Sequence, residues 1–365
     1  MAQSVFTKRG MMSIRRALAV AVIAAFAGAS APVVVAQQNN QQNRRDQERQ
    51  SQQQQSDIQA LVQVVDAVAE GKPAPAAISV TWEGNHFVKG ADGSTYIPFI
   101  LDVDASKLGS GAAVYVRAVS KDAAAAPAAE QNAGRGNDPG QQQARVIYPW
   151  DNVYFLNAPP DGRISRAMAL KPGNYELFIA VKQQSPQEPP RNAPAAEVGM
   201  LRRDLTVPGF DGPGLSTSSI LVASSIEGIA APLSPQEQQE NPYTFGTMRV
   251  VPSVDGRVRK SGELQVLFWI YGAQHSGGKP AVQIEYNFHQ RLPEGEKYFN
   301  KTAPQVLNPS TLPPQFDVAA GHQLPGSLVV PLASFPEGQY RLEIKVTDKL
   351  SGTTLTENAT FTVES

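Results

Sequence analysis

The chain has 365 residues, of which 41% are hydrophobic, so it is long enough to bury two ordinary hydrophobic cores. Its formal net charge is -1, from 32 basic and 33 acidic residues, and this balance excludes a general attraction to the phosphates of nucleic acid. The absence of cysteine excludes disulfides, thiolate nucleophiles and cysteine-ligated metal centres.

The N-terminus has the pattern of a secretory signal peptide. Basic residues between Lys8 and Arg16 precede an apolar run at residues 17–27, and small residues continue to Ala36. We expect cleavage after Ala36, which removes residues 1–36. An uncleaved membrane anchor is the alternative, but the apolar run is short for a membrane span. The mature protein is therefore expected in the periplasm or outside the cell, with no transmembrane segment.

Residues 37–56 are mostly Gln, Asn, Arg and Ser, and this composition predicts a disordered tether because it offers too little apolar surface to bury. A helix is predicted next, over residues 57–71. Ser56 and Gln59 fit a capping box at its start, and Gly71 follows its end. Its apolar stripe comprises Ile58, Leu61, Val62, Val65 and Val68. We expect this stripe to pack on the following domain; docking to a partner protein is the alternative.

From residue 77 the apolar residues alternate with period two, which predicts short β-strands. A first set lies at residues 78–82, 96–103, 113–119, 145–148, 153–155, 175–181 and 205–207. A second set lies at residues 220–223, 248–251, 264–271, 282–288, 328–330, 340–346 and 359–363. The predicted fold class is all-β: two tandem immunoglobulin-like antiparallel β-sandwiches, at residues 77–209 and 215–365. Long loops are predicted at residues 121–143 and 183–197.

One motif occurs in both predicted sandwiches. The sequence LKPGNYEL at residues 170–177 and the sequence FPEGQYRL at residues 335–342 each place a Pro/Gly turn before a strand that opens with tyrosine. Tyrosine near the start of the penultimate strand is typical of a tyrosine corner, whose hydroxyl bonds back to the chain just upstream. We therefore expect Tyr175 and Tyr340 to be structural.

Three segments carry a resemblance to a known family: LKPGNYEL at residues 170–177, RDLTVPGF at residues 203–210 and YRLEIKVTDKLSG at residues 340–352. With these segments the chain resembles exported bacterial proteins with tandem Ig-like modules. Such modules are of the type associated with von Willebrand A-like or GWxTD domains. The resemblance covers most of the chain after residue 78, although no GWxTD sequence is present. It implies an envelope β-sandwich protein and carries over no functional residue.

Sequence motifs for catalysis or cofactor binding are not found, so we expect a non-catalytic protein without a cofactor. The pattern of Asp102, Asp104 and Ser106 after an apolar strand raises the question of a cation site, but the second serine of the von Willebrand A-like pattern is missing. The spacing of the four histidines, His86, His275, His289 and His322, is not that of a metal site.

An aromatic group at Tyr148, Trp150 and Tyr154 is the candidate contact surface for a glycan or a protein partner. Packing of Trp150 in the core is the alternative. The predicted function is a binding or scaffolding role in the cell envelope, with an envelope protein as partner. A carbohydrate-binding module that recognises an envelope polysaccharide is the second hypothesis, and a hydrolase without a recognisable motif is the third.

Overall fold

The computed structural model describes residues 33–122, 147–186 and 196–365, and for residues 33–47 it describes the backbone alone. Residues 1–32 of the predicted signal peptide and most of the two predicted long loops lie outside the described residues. The described chain opens with a long helix, α1 (Val33–Ala69). In the described part of the chain, no helix combines the length and the apolar character needed to cross a bilayer.

Helix α1 begins far upstream of the predicted start at residue 57. Residues 37–56, predicted to be a disordered tether, are helical in the structure. The physical reason is local: no glycine or proline interrupts the chain between Pro32 and Gly71, and Gln and Arg are good helix formers. Residues 52–365 form one compact unit, which contains the C-terminal part of α1 and both sandwiches.

The C-terminal part of α1 packs on a β-sheet, as its apolar stripe predicts. Leu61, Val65 and Val68 are buried. They form one cluster with the sheet residues Ala113, Tyr115, Phe178 and Ala180. The stripe therefore serves the fold of this chain and is covered by it.

Ion pairs fix the helix on the sheet at two points. The Lys182 ammonium pairs with the carboxylate of Asp57, and both side chains are buried. Ser185 also donates to Asp57, from its backbone N at 3.0 Å and from Oγ at 2.6 Å. One turn from the end of the helix, Asp66 contacts the buried guanidinium of Arg117 at 2.5 Å. Buried charges of this kind are tolerated because each has a partner.

The first sandwich has antiparallel strands. In chain order they are β1 (Val80–Asn85), β2 (Val88–Lys89), β3 (Thr95–Val103), β4 (Gly111–Ser120), β5 (Trp150–Asn157), β6 (Arg163–Leu170), β7 (Gly173–Gln183) and β8 (Val198–Val207). In one sheet β3 pairs with β1 and β2 along one edge and with β6 along the other; the second sheet has the order β5-β4-β7-β8. The core residues between the sheets come from alternate positions of each strand.

The second sandwich repeats this plan with more strands. In chain order they are β9 (Ser216–Thr217), β10 (Leu221–Gly228), β11 (Thr244–Phe245), β12 (Met248–Pro252), β13 (Arg257–Arg259), β14 (Glu263–Tyr271), β15 (His275–Ser276), β16 (Lys279–Pro280), β17 (Val282–Leu292), β18 (Gly295–Lys301), β19 (Gln305–Leu307), β20 (Leu324–Pro331), β21 (Gly338–Asp348) and β22 (Thr354–Glu364). One sheet has the order β11-β12-β10-β14-β20, with β9 on β14, and the other has the order β13-β22-β21-β17-β18, with β19 on β17. A short helix, α2 (Pro235–Glu240), lies between β10 and β11.

Both predicted tyrosine corners are present. The Tyr175 hydroxyl donates to the carbonyl of Lys171 at 2.9 Å, and the Tyr340 hydroxyl donates to the carbonyl of Pro336 at 2.7 Å. In each sandwich the tyrosine closes the turn four residues upstream, which explains why the chain contains the motif twice.

The two sandwiches meet through the outer face of β14. Along this strand Phe268 faces the core of the second sandwich, whereas Trp269 joins a separate cluster. That cluster contains residues of both sandwiches: Val88 and Ile100 from the first, Phe210 from the connection, and Leu221, Ala223, Tyr243, Val250, Leu267, Trp269 and Tyr271 from the second. The junction is therefore a hydrophobic core in its own right.

Some strands differ from the predictions. The run at residues 145–148 is not a strand where it is described, and β5 begins at Trp150 instead. Several short strands were not predicted, and among the longer ones β6 and β18 were not predicted. Each carries charged residues that break the alternation of apolar and polar positions, and β18 is an almost fully exposed edge strand.

A candidate binding pocket between the sandwiches

The predicted aromatic residues Trp150 and Tyr154 line one small pocket. Both lie on β5, and strand alternation places them with Asn152 on the same face. The pocket opens between the edge strands β5 and β6 and has a volume of about 130 Å³. Its lining consists of Tyr96, Trp150, Asn152, Tyr154, Ala167, Met168, Ala169, Gln238 and Gln239. We call it the aromatic pocket.

The lining of the aromatic pocket is uncharged and mostly apolar. Ala169 and Gln239 are exposed, so the pocket reaches the protein surface. Strands of the first sandwich supply most of the lining, and helix α2 of the second sandwich supplies the two glutamines. The pocket therefore exists only because the two sandwiches are joined in this arrangement.

The tyrosine hydroxyls at the pocket are hydrogen-bonded within the protein. Tyr154 donates to the carbonyl of Ala167 at 3.1 Å, and Tyr96 donates to the carbonyl of Pro242 at 2.8 Å. Burial raises the pKa of both phenols, although neighbouring side chains lower it in part, so both hydroxyls are protonated at neutral pH. With their hydroxyls engaged, the two rings offer mainly apolar surface to a ligand.

The indole nitrogen of Trp150 is a buried polar atom at the pocket. Trp150 Nε1 makes no hydrogen bond within the described residues, although the Trp150 side chain lowers the pKa of Tyr154. The Arg166 guanidinium lies over the Tyr154 ring, 5.5 Å from the ring centroid. Burial lowers the pKa of Arg166.

The third predicted aromatic residue, Tyr148, does not line the aromatic pocket. Its ring lies 4.0 Å from the guanidinium carbon of Arg117, the residue that pairs with Asp66 of helix α1. Arg117 also lies 3.5 Å from Asp151, which accepts a hydrogen bond from the Tyr115 hydroxyl. Tyr148 therefore belongs to the attachment of the helix and not to the pocket.

The Asp102, Asp104 and Ser106 pattern, for which a cation site was a question, serves a turn. The Asp104 carboxylate accepts hydrogen bonds from the backbone N of Ser106 at 3.1 Å and from its Oγ at 2.6 Å, capping the 3-10 turn Ala105–Lys107. Asp102 is an exposed residue of β3. Among the described residues, no group of three or more His, Cys, Asp or Glu side chains could hold a metal ion.

The histidines are dispersed, and one of them lies at the junction. His86 Nδ1 is 3.2 Å from the hydroxyl of Tyr243, which also lies 3.3 Å from the carbonyl of Pro98. Burial lowers the pKa of His86 to about 4, so the imidazole is neutral at pH 7. His86 and Tyr243 thus form a polar contact between the sandwiches.

Sequence reasoning missed most of the pocket. Tyr96, Met168 and Gln238 are distant from Trp150 along the chain and meet it only after folding. One local signal was available: Ser234 and Glu237 form a complete capping box, which marks the start of α2. This signal locates the helix but not the surface on which it lies.

No family model and no curated protein matches the chain. Among solved structures, trypsin-activated alpha-2-macroglobulin from Escherichia coli is 10% identical, with a TM-score of 0.20, over 80% of this chain and 17% of that chain. Salmonella alpha-2-macroglobulin reacted with methylamine is 13% identical, with a TM-score of 0.21, over 80% and 17% of the two chains. This chain thus spans 17% of the length of these proteins. Because these similarities are weak, the function of the chain is argued from its own residues. The resemblance to exported proteins with tandem Ig-like modules stays a prediction.

Proposed function

We propose that this protein is an exported, non-catalytic binding protein of the cell envelope, and that it holds a polypeptide partner at the aromatic pocket. The observation that carries the proposal is the pocket itself. It is an uncharged aromatic cavity that reaches the surface and is built jointly by both sandwiches. Small-molecule and peptide sites are typically concave and apolar with a few polar groups at the margin, and this pocket has that character.

The chemistry of the lining supports binding over catalysis. General acid–base work at neutral pH needs a group whose pKa lies near 7. The titratable side chains in the lining are Tyr96 and Tyr154, and burial raises the pKa of each above its ordinary value. The other lining groups are amides, alkyl groups and an indole, which do not transfer protons at neutral pH.

The size of the pocket favours a polypeptide over a polysaccharide. Pockets that enclose a whole small-molecule ligand have volumes of about 300–1,000 Å³, and this one has about 130 Å³. It accepts one compact apolar group, such as a side chain of a partner protein. A sugar ring carries several hydroxyls, and an apolar lining would leave some of them without hydrogen-bond partners.

Site-specific photo-crosslinking in cells tests the proposal. A benzophenone amino acid placed at Gln239, an exposed residue of the lining, should capture a reproducible envelope protein. The same probe at Lys297, an exposed residue of β18 away from the pocket, is the matched control. Capture from both positions alike, or from neither, would contradict the proposed site.

Binding of an envelope polysaccharide remains the second candidate function, because Trp150 and Tyr154 offer aromatic rings at the pocket. A retention assay on immobilised envelope glycans, with the same protein preparation, distinguishes the two. Glycan retention that is lost in Trp150→Leu, together with no protein captured from Gln239, would favour the polysaccharide.

A further inference from the structure

We propose that the group which occupies the aromatic pocket is a proline ring, presented by a polyproline II segment of the partner. This inference rests on the proposed function and specifies its ligand class. Three properties of the pocket carry it: its volume, the aromatic composition of its walls and the amides at its margin.

The volume restricts the ligand to a single compact group. Its volume of about 130 Å³ is below the range of about 300–1,000 Å³ for pockets that enclose a whole small-molecule ligand. A branched aliphatic side chain or a proline ring is a compact group of the kind that such a pocket accepts. The lining offers no charged partner to a Lys, Arg, Asp or Glu side chain, which favours an uncharged group.

The walls favour a compact, saturated ring. Trp150 and Tyr154 lie on the same face of β5, and Tyr96 and Met168 complete the apolar walls. Because the hydroxyls of both tyrosines are engaged within the protein, the rings remain as contact surfaces. Aromatic grooves of this composition bind proline in extended segments, since the polyproline II conformation is already ordered before binding and loses little entropy.

The margin of the pocket offers amide groups. Gln239 is exposed, and its side-chain amide makes no hydrogen bond within the described residues. Gln238, by contrast, donates to the carbonyl of Thr244 at 2.8 Å and stays fixed. A polyproline II segment has no internal hydrogen bonds and, at each proline, no N–H, so its backbone presents carbonyl acceptors. The free amide of Gln239, at the margin of an apolar pocket for the proline ring, is placed to donate to one of those carbonyls.

The test uses the mature protein labelled with ¹³C at its methionine methyl groups, titrated with a polyproline peptide of about ten residues. Met168 lines the pocket, whereas Met200 packs beneath helix α1. We expect a saturable shift of the Met168 methyl resonance and no shift of the Met200 resonance. A peptide of equal length without proline is the ligand control.

The matched variants are Ala169→Leu, which fills the pocket from an exposed position, and Ala303→Leu, an exposed alanine outside it. Ala169→Leu should weaken peptide binding at least about tenfold, and Ala303→Leu should not. Equal melting temperatures of the two variants show that both fold.

The outcomes separate the inference from the proposed function. If Gln239 still captures a protein in cells but the polyproline peptide leaves Met168 unshifted, the proline inference is wrong and the binding function stands. If neither experiment gives a signal, both are wrong. A Met168 shift caused by an envelope oligosaccharide and not by the peptide would overturn the inference in favour of the polysaccharide. Binding that Ala169→Leu leaves unchanged would place the peptide elsewhere.

Discussion

At the scale of single residues, Asp348 shows how a buried carboxylate organises a turn. It is almost fully buried at the end of β21. It accepts hydrogen bonds from the backbone N of Gln274 at 2.9 Å, from the backbone N of Leu350 at 2.9 Å and from Ser351 Oγ at 2.7 Å. Burial alone raises the pKa of Asp348, but these hydrogen bonds outweigh burial, and the net pKa is lowered.

We predict that Asp348→Ala lowers the free energy of unfolding by about 3 kcal/mol, because it leaves several donors unpaired. The stabilisation that comes from the lowered pKa of Asp348 is complete at pH values above the pKa of this residue in the unfolded chain. It is lost as the pH falls through the pKa of this residue in the folded protein. Urea unfolding at neutral and acidic pH measures both effects. Asp255→Ala, at an exposed position, is the control, and an equal loss in the two variants would contradict the structural role of Asp348.

His86 makes the junction sensitive to pH in the same direction. Burial holds its pKa at about 4, compared with an ordinary value of 6.5. Between these two values the unfolded chain binds a proton that the folded chain does not bind. The contribution of His86 to the free energy of unfolding is therefore complete above pH 6.5, and it is lost as the pH decreases toward 4.

We predict that lowering the pH from 7 to 4.5 removes about 2 kcal/mol of stability through His86. His86→Gln should flatten this part of the pH profile, measured by urea unfolding at a series of pH values. His275→Gln, at an exposed position, should leave the profile unchanged. A profile that His86→Gln does not alter would show that another group causes the pH dependence.

The fate of the three predicted aromatic residues shows what a sequence can reveal about a site. Trp150 and Tyr154 are predictable as one group because strand alternation puts them on one face. Tyr148 precedes the strand, so alternation says nothing about it, and it stacks on Arg117 instead. The remaining walls come from β3, β6 and α2, whose approach to β5 depends on tertiary packing.

At the scale of elements, the attachment of α1 depends on ion pairs that the sequence does not reveal. The apolar stripe of the helix predicts a buried face, but nothing in the sequence pairs Asp57 with Lys182, 125 residues away. Breaking a buried pair costs about 3–5 kcal/mol, because it leaves one charge uncompensated in the interior.

We therefore predict that Lys182→Met releases the C-terminal part of α1 from the sheet, with faster amide hydrogen exchange at residues 57–69. The double variant Asp57→Leu/Lys182→Met should recover part of the protection. Recovery should be incomplete because Ser185 loses the acceptor for its backbone N. Exchange at β21, in the other sandwich, serves as the internal control. Unchanged protection in Lys182→Met would contradict the attachment.

The edge of β20 is poorly suited to the addition of a partner strand. The outward N–H of Ser327 donates to Gln305 Oε1 at 3.3 Å, and its carbonyl lies 3.1 Å from the Tyr286 hydroxyl. Pro325 and Pro331 share this outward side of the strand and have no N–H to donate. An edge capped in this way offers few free groups to a partner strand.

At the scale of the whole molecule, the junction joins two sandwiches that the sequence predicts as separate domains. One signal of the junction is present in the sequence. Residues 264–271 form a nearly continuous apolar run, and such a run is typical of a strand that is buried on both faces. The apolar run does not identify the residues that cover the second face of the strand, because the residues that contact Trp269 come from distant segments of both sandwiches.

We predict that this shared cluster makes the two sandwiches unfold together. Trp269 is 4% exposed, and its ring centroid lies 4.7 Å from that of Phe245. Trp269→Ala should remove about 3–5 kcal/mol of packing at the junction and split one calorimetric transition into two.

Phe268→Leu, on the opposite face of β14, is the matched control: it weakens the core of the second sandwich and leaves the junction surface intact. Two separate transitions in the unsubstituted protein, with only one of them moved by Trp269→Ala, would show that the sandwiches are not coupled. A single transition that splits only in Trp269→Ala would show that the junction, and with it the aromatic pocket, forms as part of one cooperative fold.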